Sequence, residues 1–443
     1  MNDRIRIAID AQFLPNSTGG VESASIGLIS ALGRLDDLPE EYVIIGPWQE
    51  PDWLKPYLGP NQHIIRGPQR HQPIEKKPGP LEPFKRALGP LRPLCRAIWR
   101  ELFPAPSPLR PRLWPEIPIS DGFYESLGCD VIHFVFQDFV LCALPTIYNP
   151  HDLQHLHYPQ FFRLSTIAWR ETIYQAGCHL ANTVVVGSHW VKQDVVRQYG
   201  VNPDKVQIIP LAPPTEVYPD TTPKILAEVK FKYQLQVPFA FYPAMTWEHK
   251  NHLRLLEALA YLRDKKGLIV RLVCTGKRFS HIWPRIEERL STLKLDNQVQ
   301  FLDVVPTTEL RAIYQLAQFV VVPTLFEAAS GPVVEAWLEG VPVACSNVTS
   351  LPEQSGDAAL LFDPFSIEAI ADAVRRMATD RHLRGDLARR GKRRLKVFSW
   401  ERTAKAYRAV YRRAARHPLT DEDRWLLNWN WMRDSMPAGK RNW

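Results

Sequence analysis

Glu327 and Glu335 stand either side of seven residues that include a run of small side chains, Ala328-Ala329-Ser330-Gly331, and a proline, Pro332. Val321-Val322-Pro323 before them closes an apolar stretch, and Pro332 suits the first position of a helix. A strand, a small-residue loop and a helix in that order present free backbone N–H groups and the positive end of a helix dipole. A diphosphate fits there, because small side chains let a ligand approach the backbone. Glu327 falls in the loop and Glu335 in the first turn of the helix, so one carboxylate could hold sugar hydroxyls and the other a ribose. Two exposed acids on a capped helix would show the same spacing.

Gly19-Gly20 follows the first apolar stretch, where a tight loop brings amides near a diphosphate or an acceptor; an ordinary turn reads the same way. His151 lies just past another such stretch, at the carboxyl edge where sites form in α/β folds. His151-x-x-x-His155-x-His157 with Asp152 also has roughly the spacing of a zinc hydrolase, which keeps a metal reading open.

These residues need a scaffold, and the apolar pattern supplies one. Short strands are predicted over 5–10, 42–46, 130–135, 145–148, 183–187 and 206–209, with helices over 21–35, 165–181 and 188–199. After the proline-rich 210–223 the series restarts. Strands are predicted over 239–242, 269–275, 299–302, 319–323, 341–344 and 359–362, and helices over 251–266, 281–294, 307–318, 333–339 and 366–379. The alternation predicts an α/β fold of two Rossmann-like domains with parallel sheets, which 443 residues comfortably fill. The boundaries are 1–215 for the first domain and 216–398 for the second. A helix over 399–417 crosses back to the first domain, and a Trp-rich tail occupies 418–443. Residues 60–120 read as an insertion: 60–118 holds fourteen of the 39 prolines and almost no periodicity beyond an amphipathic piece at 91–103.

Composition narrows the class. Apolar residues are 45% and charged residues 23%, and no apolar run reaches the ~18–20 residues of a membrane span. A strand begins almost at the first residue, without a signal-peptide stretch. Six widely spaced cysteines with no C-x-x-C pair argue for a reducing cytosol. The net charge of +8 is concentrated: 66–112 carries eleven bases against three acids, and 381–416 carries fourteen against two. No nucleic-acid motif accompanies these blocks, which instead suit a phosphate-bearing substrate or an anionic membrane surface. The expected location is cytoplasmic, peripheral on the inner face of the cytoplasmic membrane.

Glu327 and Glu335, then Gly340-Val341-Pro342-Val343, Ser350-Leu351-Pro352-Glu353 and Gly356-Asp357-Ala358-Ala359-Leu360-Leu361-Phe362-Asp363-Pro364, closely resemble the family-4 retaining glycosyltransferases of GT-B fold, of the bacterial cell-envelope, mannosyltransferase-like type. Phe398-Ser399-Trp400, Gly19-Gly20-Val21-Glu22 and His151-Asp152-Leu153 match as well. The resemblance implies two Rossmann-like domains facing each other across a cleft. It places Glu327 on the donor-sugar hydroxyls, Glu335 on the ribose, His151 toward the donor sugar and Lys250 on the diphosphate. An arginine common in the family about five residues before that lysine is missing: Ala244, Met245 and Thr246 stand there, which leaves Lys277 or Arg278 as substitutes. The implied substrates are a nucleotide-diphosphate sugar, GDP-mannose ahead of UDP-glucose or UDP-N-acetylglucosamine, and a glycan or lipid-linked acceptor. No cofactor or metal is expected; Ser330, Gly331, Pro332, Gly19 and Gly20 complete the donor site.

Overall fold

The computed structural model describes residues 4–15, 19–35, 40–69, 116–213, 219–235 and 238–431. Seven strands form the first sheet: β1 (Arg6–Asp10), β2 (Glu41–Gly46), β3 (Gln62–Arg66), β4 (Val131–Phe134), β5 (Thr146–Tyr148), β6 (Thr183–Val186) and β7 (Val206–Ile208). Six form the second: β8 (Ala240–Pro243), β9 (Leu272–Thr275), β10 (Val299–Phe301), β11 (Phe319–Val322), β12 (Val343–Ser346) and β13 (Ala359–Phe362). Every pairing between these strands is parallel. Helices on both faces explain why a strand such as Phe319-Val320-Val321-Val322 is apolar and buried throughout.

The strand orders, β3-β2-β1-β4-β5-β6-β7 and β10-β9-β8-β11-β12-β13, each reverse once. The chain builds outward from β1 to β3 and returns beside β1 with β4. It repeats this from β8 to β10 and returns beside β8 with β11. Loops flanking such a reversal leave toward opposite faces, and the carboxyl edge between them opens into a crevice.

Two sequence expectations are corrected here. Gln62–Arg66, counted within the insertion, is the edge strand β3 in register with β2. Its alternating half-exposure hid the signal, since only one neighbour covers it. The basic block 381–416 is also no uniform charged surface. It forms helices Arg381–Arg394 and Trp400–Ala414, in which Arg394, Arg408 and Arg412 are buried. The other basic block, apart from Arg66, and the amphipathic piece at 91–103 lie outside the described residues, as does Trp443. Among the described residues, no helix is long and apolar enough to cross a membrane.

The helix Trp400–Ala414 lies on the first domain. Trp400 Nε1 donates to Pro213 O at 2.9 Å and Thr403 Oγ1 to Pro210 O at 2.9 Å. Gly27 must be glycine for this approach, because a Cβ there would sit 2.0 Å from the Trp400 ring. Further along, His133 bridges Tyr411 and Asn149 at 2.8 Å each, and Asn149 Nδ2 donates to Tyr407 at 2.7 Å. Beyond it the helix Asp421–Asn428 starts with a Thr420–Asp423 capping box. Trp425, Trp429 and Trp431 then stack in sequence at 5.1 and 4.4 Å, with Trp431 fully buried and Trp425 exposed.

Arg412 closes this arrangement. Its guanidinium donates to Glu40 Oε1 and, at 2.8 Å, to Asp423 Oδ2, and all three groups are buried. Removing the cation strands two carboxylates away from water, so Arg412→Ala should destabilise the protein by about 3–5 kcal/mol. A shift of the urea unfolding midpoint measures this; a midpoint within experimental error of the parent contradicts the burial argument.

Candidate active site

Lys250 and Glu327 meet at the second reversal. The lysine ends the short turn Glu248–Lys250 after β8, and the glutamate lies in the loop after β11, the two strands flanking the crevice. Lys250 Nζ is 2.5 Å from Glu327 Oε1, with both side chains mostly buried. Asn251 pins the site from beneath: in the left-handed region at φ 61°, it donates through Nδ2 to Pro323 O and Pro364 O at 2.9 Å each. Leu325 N donates to His249 O at 2.7 Å, tying the two loops together. The resemblance assigned the cation to a diphosphate and the carboxylate to a sugar; the structure joins them to each other.

The small-residue loop is held by the segment after β12. Thr349 Oγ1 accepts from Glu327 N at 3.0 Å and donates to Glu327 O at 2.6 Å, and Ser350 Oγ donates to the same carbonyl at 2.8 Å. Gln354 exchanges two bonds of 2.9 Å with the backbone of Ser330. The Ser330 amide is therefore already used and Pro332 has none, which corrects the expectation of free amides throughout Ser330–Pro332. Gly331 and Val333 supply what remains in the first turn of the helix Gly331–Leu338. Ser330 Oγ is buried with no hydrogen-bond partner among the described residues, as a group awaiting a ligand would be.

Glu335 is the fifth residue of that helix, just past the first turn in which it was expected. Tyr314 OH donates to Oε2 at 2.6 Å. Burial pushes the carboxyl up to about 7, the Tyr314 bond opposes the rise, and the charge of Glu339 adds to it.

Across the cleft, Gly19 has φ 62° and would place a Cβ 2.0 Å from Met245 Cε. Met245 thus occupies the position where the family resemblance expects a cation, and packs on the glycine loop instead. Gly20, the first residue of the helix Gly20–Gly33, has nothing within 4 Å of where its Cβ would be. Arg278 is unsuited as a substitute: it pairs with Asp303, donates to Phe301 O at 3.0 Å and stacks 4.2 Å from the Trp283 ring. Lys277 is exposed, its ammonium 5.7 Å from the Phe279 ring, on a loop joined to Thr246.

His151, at φ 60°, lies 2.7 Å through Nε2 from Val135 O. A carbonyl only accepts, so Nε2 carries the proton and Nδ1 is left as an acceptor. Burial lowers its basicity and keeps the ring neutral. His155 and His157 turn elsewhere, to Glu171 at 2.8 Å and Asp194 at 2.8 Å. The zinc alternative needed them to converge, and among the described residues no group of three or more His, Cys, Asp or Glu could hold a metal ion. Tyr314, Thr349 and Gln354 went unnoticed as site residues in the sequence because only tertiary contacts connect them to it. A cavity of about 300 Å³ lined by Tyr158, Trp247, Arg254 and Phe365 adjoins the Lys250 loop without reaching Glu327.

With this geometry in place, the chain matches two family models: Glycosyltransferase Family 4 over residues 64–216 and Glycosyl transferases group 1 over 238–380. It is 28% identical over 268 residues to the O-antigen chain mannosyltransferase B of Escherichia coli, covering 59% of this chain and 69% of that protein. It is 28% identical over 233 residues to the MMP alpha-(1->4)-mannosyltransferase of Mycolicibacterium hassiacum, covering 50% of this chain but only 51% of that protein. In fold it is similar to sucrose-phosphate synthase from Thermosynechococcus elongatus, with a TM-score of 0.67 at 20% identity over 93% of this chain and 99% of the other.

Glu335 makes the unliganded fold sensitive to pH. Its carboxyl titrates near 7 when folded and near 4.5 when unfolded, so between those values the folded state binds more protons. Stability falls as pH rises through that window and levels above it, by a total of about 3 kcal/mol at 1.36 kcal/mol per unit. Urea unfolding from pH 4.5 to 8 should show this slope, and Glu335→Gln should flatten it. The same slope in both proteins rules Glu335 out as its source.

Proposed function

The chain belongs to the glycosyltransferases of GT-B fold, with a family-4 model over its first half and a group-1 model over its second, and on that premise we propose that it transfers a hexose, with retention, from a nucleotide-diphosphate sugar to a hydroxyl of a glycan or lipid-linked acceptor, without a metal. GDP-mannose is the donor we favour, supported by two relatives named as mannosyltransferases. The observation that carries the reading is the Lys250–Glu327 contact at the strand reversal, a cation and a carboxylate placed where a diphosphate and its sugar would lie.

The departing nucleoside diphosphate needs positive charge and the forming oxocarbenium ion needs a defined pocket. Lys250 moves its bond from Glu327 to the diphosphate, with Lys277 as the second cation and the Gly331 and Val333 amides behind it. Glu327, released, accepts from the sugar hydroxyls, and Glu335 accepts from the ribose. His151 Nδ1 accepts from the donor sugar. The acceptor hydroxyl attacks from the face the leaving group vacates, and a phosphate oxygen takes its proton. In this reading the basic residues of 66–112 and 381–416 hold the enzyme at the cytoplasmic face of an anionic membrane that carries the lipid-linked acceptor.

Removing a hydrogen bond to a charged group costs about 1.5–3 kcal/mol, roughly ten- to a hundredfold. Glu335→Ala should weaken GDP binding by that factor, whereas Glu327→Ala should lower kcat with little loss of GDP affinity. Parent-like kinetics in both variants would remove the assignment. Thermal shifts with GDP, UDP and ADP decide the base, because only a bound nucleotide raises Tm. Transfer should continue in EDTA; activity lost to the chelator and restored by manganese would overturn the metal-free mechanism.

A further inference from the structure

Two amides of the first domain end on one carboxylate of the second. His189 N and Trp190 N, the first two of the helix His189–Tyr199, donate to Glu353 Oε1 and Oε2 at 2.8 and 3.0 Å. Ser188 Oγ accepts from Val191 N at 3.2 Å, so the opening turn of this helix is satisfied only with Glu353 in place. The carboxylate also sits at the positive end of the helix dipole.

Glu353 lies on the five-residue helix Leu351–Ser355, which the donor loop also depends on. Thr349 and Ser350, just before it, hold the backbone of Glu327, and Gln354 holds that of Ser330. Buried Arg394 secures the same helix, donating to Glu353 O at 2.8 Å and Gln354 O at 3.1 Å. A single short piece therefore grips the loop that carries Glu327 on one flank and the opposite domain on the other. Three neighbouring contacts cross with it. Phe326 packs 5.4 Å from the His157 ring and 5.5 Å from Trp190, Tyr158 OH donates to Leu325 O at 3.1 Å, and Ser188 Oγ donates to Ala328 O at 3.4 Å.

We propose that Glu353 is a positioning residue that latches the two domains together and aligns the Glu327 loop only in that closed state. It touches no reacting atom. Opening hands the carboxylate and both amides to water, which solvates each of them, so the latch releases at modest cost and re-forms. Such a balance suits an enzyme that must admit a donor, exclude water during transfer and release product.

The test uses the full chain, with Glu353→Ala and Glu353→Gln beside the parent. Small-angle scattering without any nucleotide reads closure directly, independent of which donor the enzyme uses. Glu353→Ala should lower the closed-to-open ratio about tenfold, equivalent to about 1.4 kcal/mol, and so raise the radius of gyration. Its kcat should fall and donor hydrolysis should gain on transfer, while affinity for free GDP stays within about threefold because the groups proposed to hold the nucleotide, Lys250, Glu335 and the Gly331 and Val333 amides, all lie in the second domain. Glu353→Gln keeps one good acceptor oxygen and should fall between. Parent-like scattering together with a parent-like hydrolysis-to-transfer ratio in Glu353→Ala overturns the latch. A parallel collapse of Tm and GDP affinity in both variants overturns it too, showing a merely structural role. Failure of GDP to bind any of the three proteins, with the scattering difference intact, counts against the donor assignment and leaves the latch standing.

Discussion

A lysine and a glutamate largely withdrawn from water must stay close to opposite charge, and that requirement organises the second domain. Lys250 and Glu327 sit on separate loops, so their 2.5 Å contact holds only if β8 and β11 are neighbours and both loops are fixed. Asn251 fixes one loop by bonding the backbone of two others, and Thr349, Ser350 and Gln354 fix the other. Each clamp is an uncharged side chain bonded to backbone, which holds the pair in place without competing for its charge. A buried ion pair by itself contributes little to stability, because desolvation offsets its attraction. Its value, on the proposed reading, is that a more strongly charged ligand can replace one partner.

The first domain meets this site through small residues. Gly19 leaves the space that Met245 enters, and Gly187 would bring a Cβ to 3.6 Å from Ala329, within ordinary contact. Aromatic side chains cross the seam beside them, Phe326 lying 5.4 Å from the His157 ring and 5.5 Å from Trp190. The polar bonds across it go to backbone groups, which water can replace. The strong anchoring lies elsewhere, in the helix Trp400–Ala414, where Trp400, Thr403, Tyr407, Tyr411 and Arg412 all bond to the first domain. One edge of the interface is thus tied and the other releasable.

Much of this was legible in the sequence, and the failures have physical causes. Strands such as Phe319–Val322 were readable because a parallel sheet covered on both faces demands an unbroken apolar run. Gln62–Arg66 escaped because an edge strand needs only one covered face, and its polar ends sit among prolines. The strand, small-residue loop and helix around Ser330 were readable in that order, but the loss of the Ser330 amide to Gln354 was not, since that bond joins residues 24 apart in the chain. The basic run over 381–416 looked like a surface; a guanidinium with buried carboxylate partners, such as Arg412, looks identical in sequence to one in water.

The shortage of cations then has a coherent explanation. In the resting site Lys250 is neutralised by Glu327, and Glu335, with its carboxyl near 7, is protonated in a large share of molecules at neutral pH. A diphosphate bound as proposed would therefore meet less negative charge than two full carboxylates would present. A second buried cation at position 245 would have needed a counter-ion of its own in the empty site, at a desolvation cost of several kcal/mol. Met245 avoids that cost and fills the space beside Gly19, while Lys277 waits in water, where an unpaired ammonium is cheap. On the mechanism proposed above, positive charge is thus brought together by ligand binding and closure instead of being stored, and the carboxylate displaced from Lys250 is delivered to the sugar by the same event.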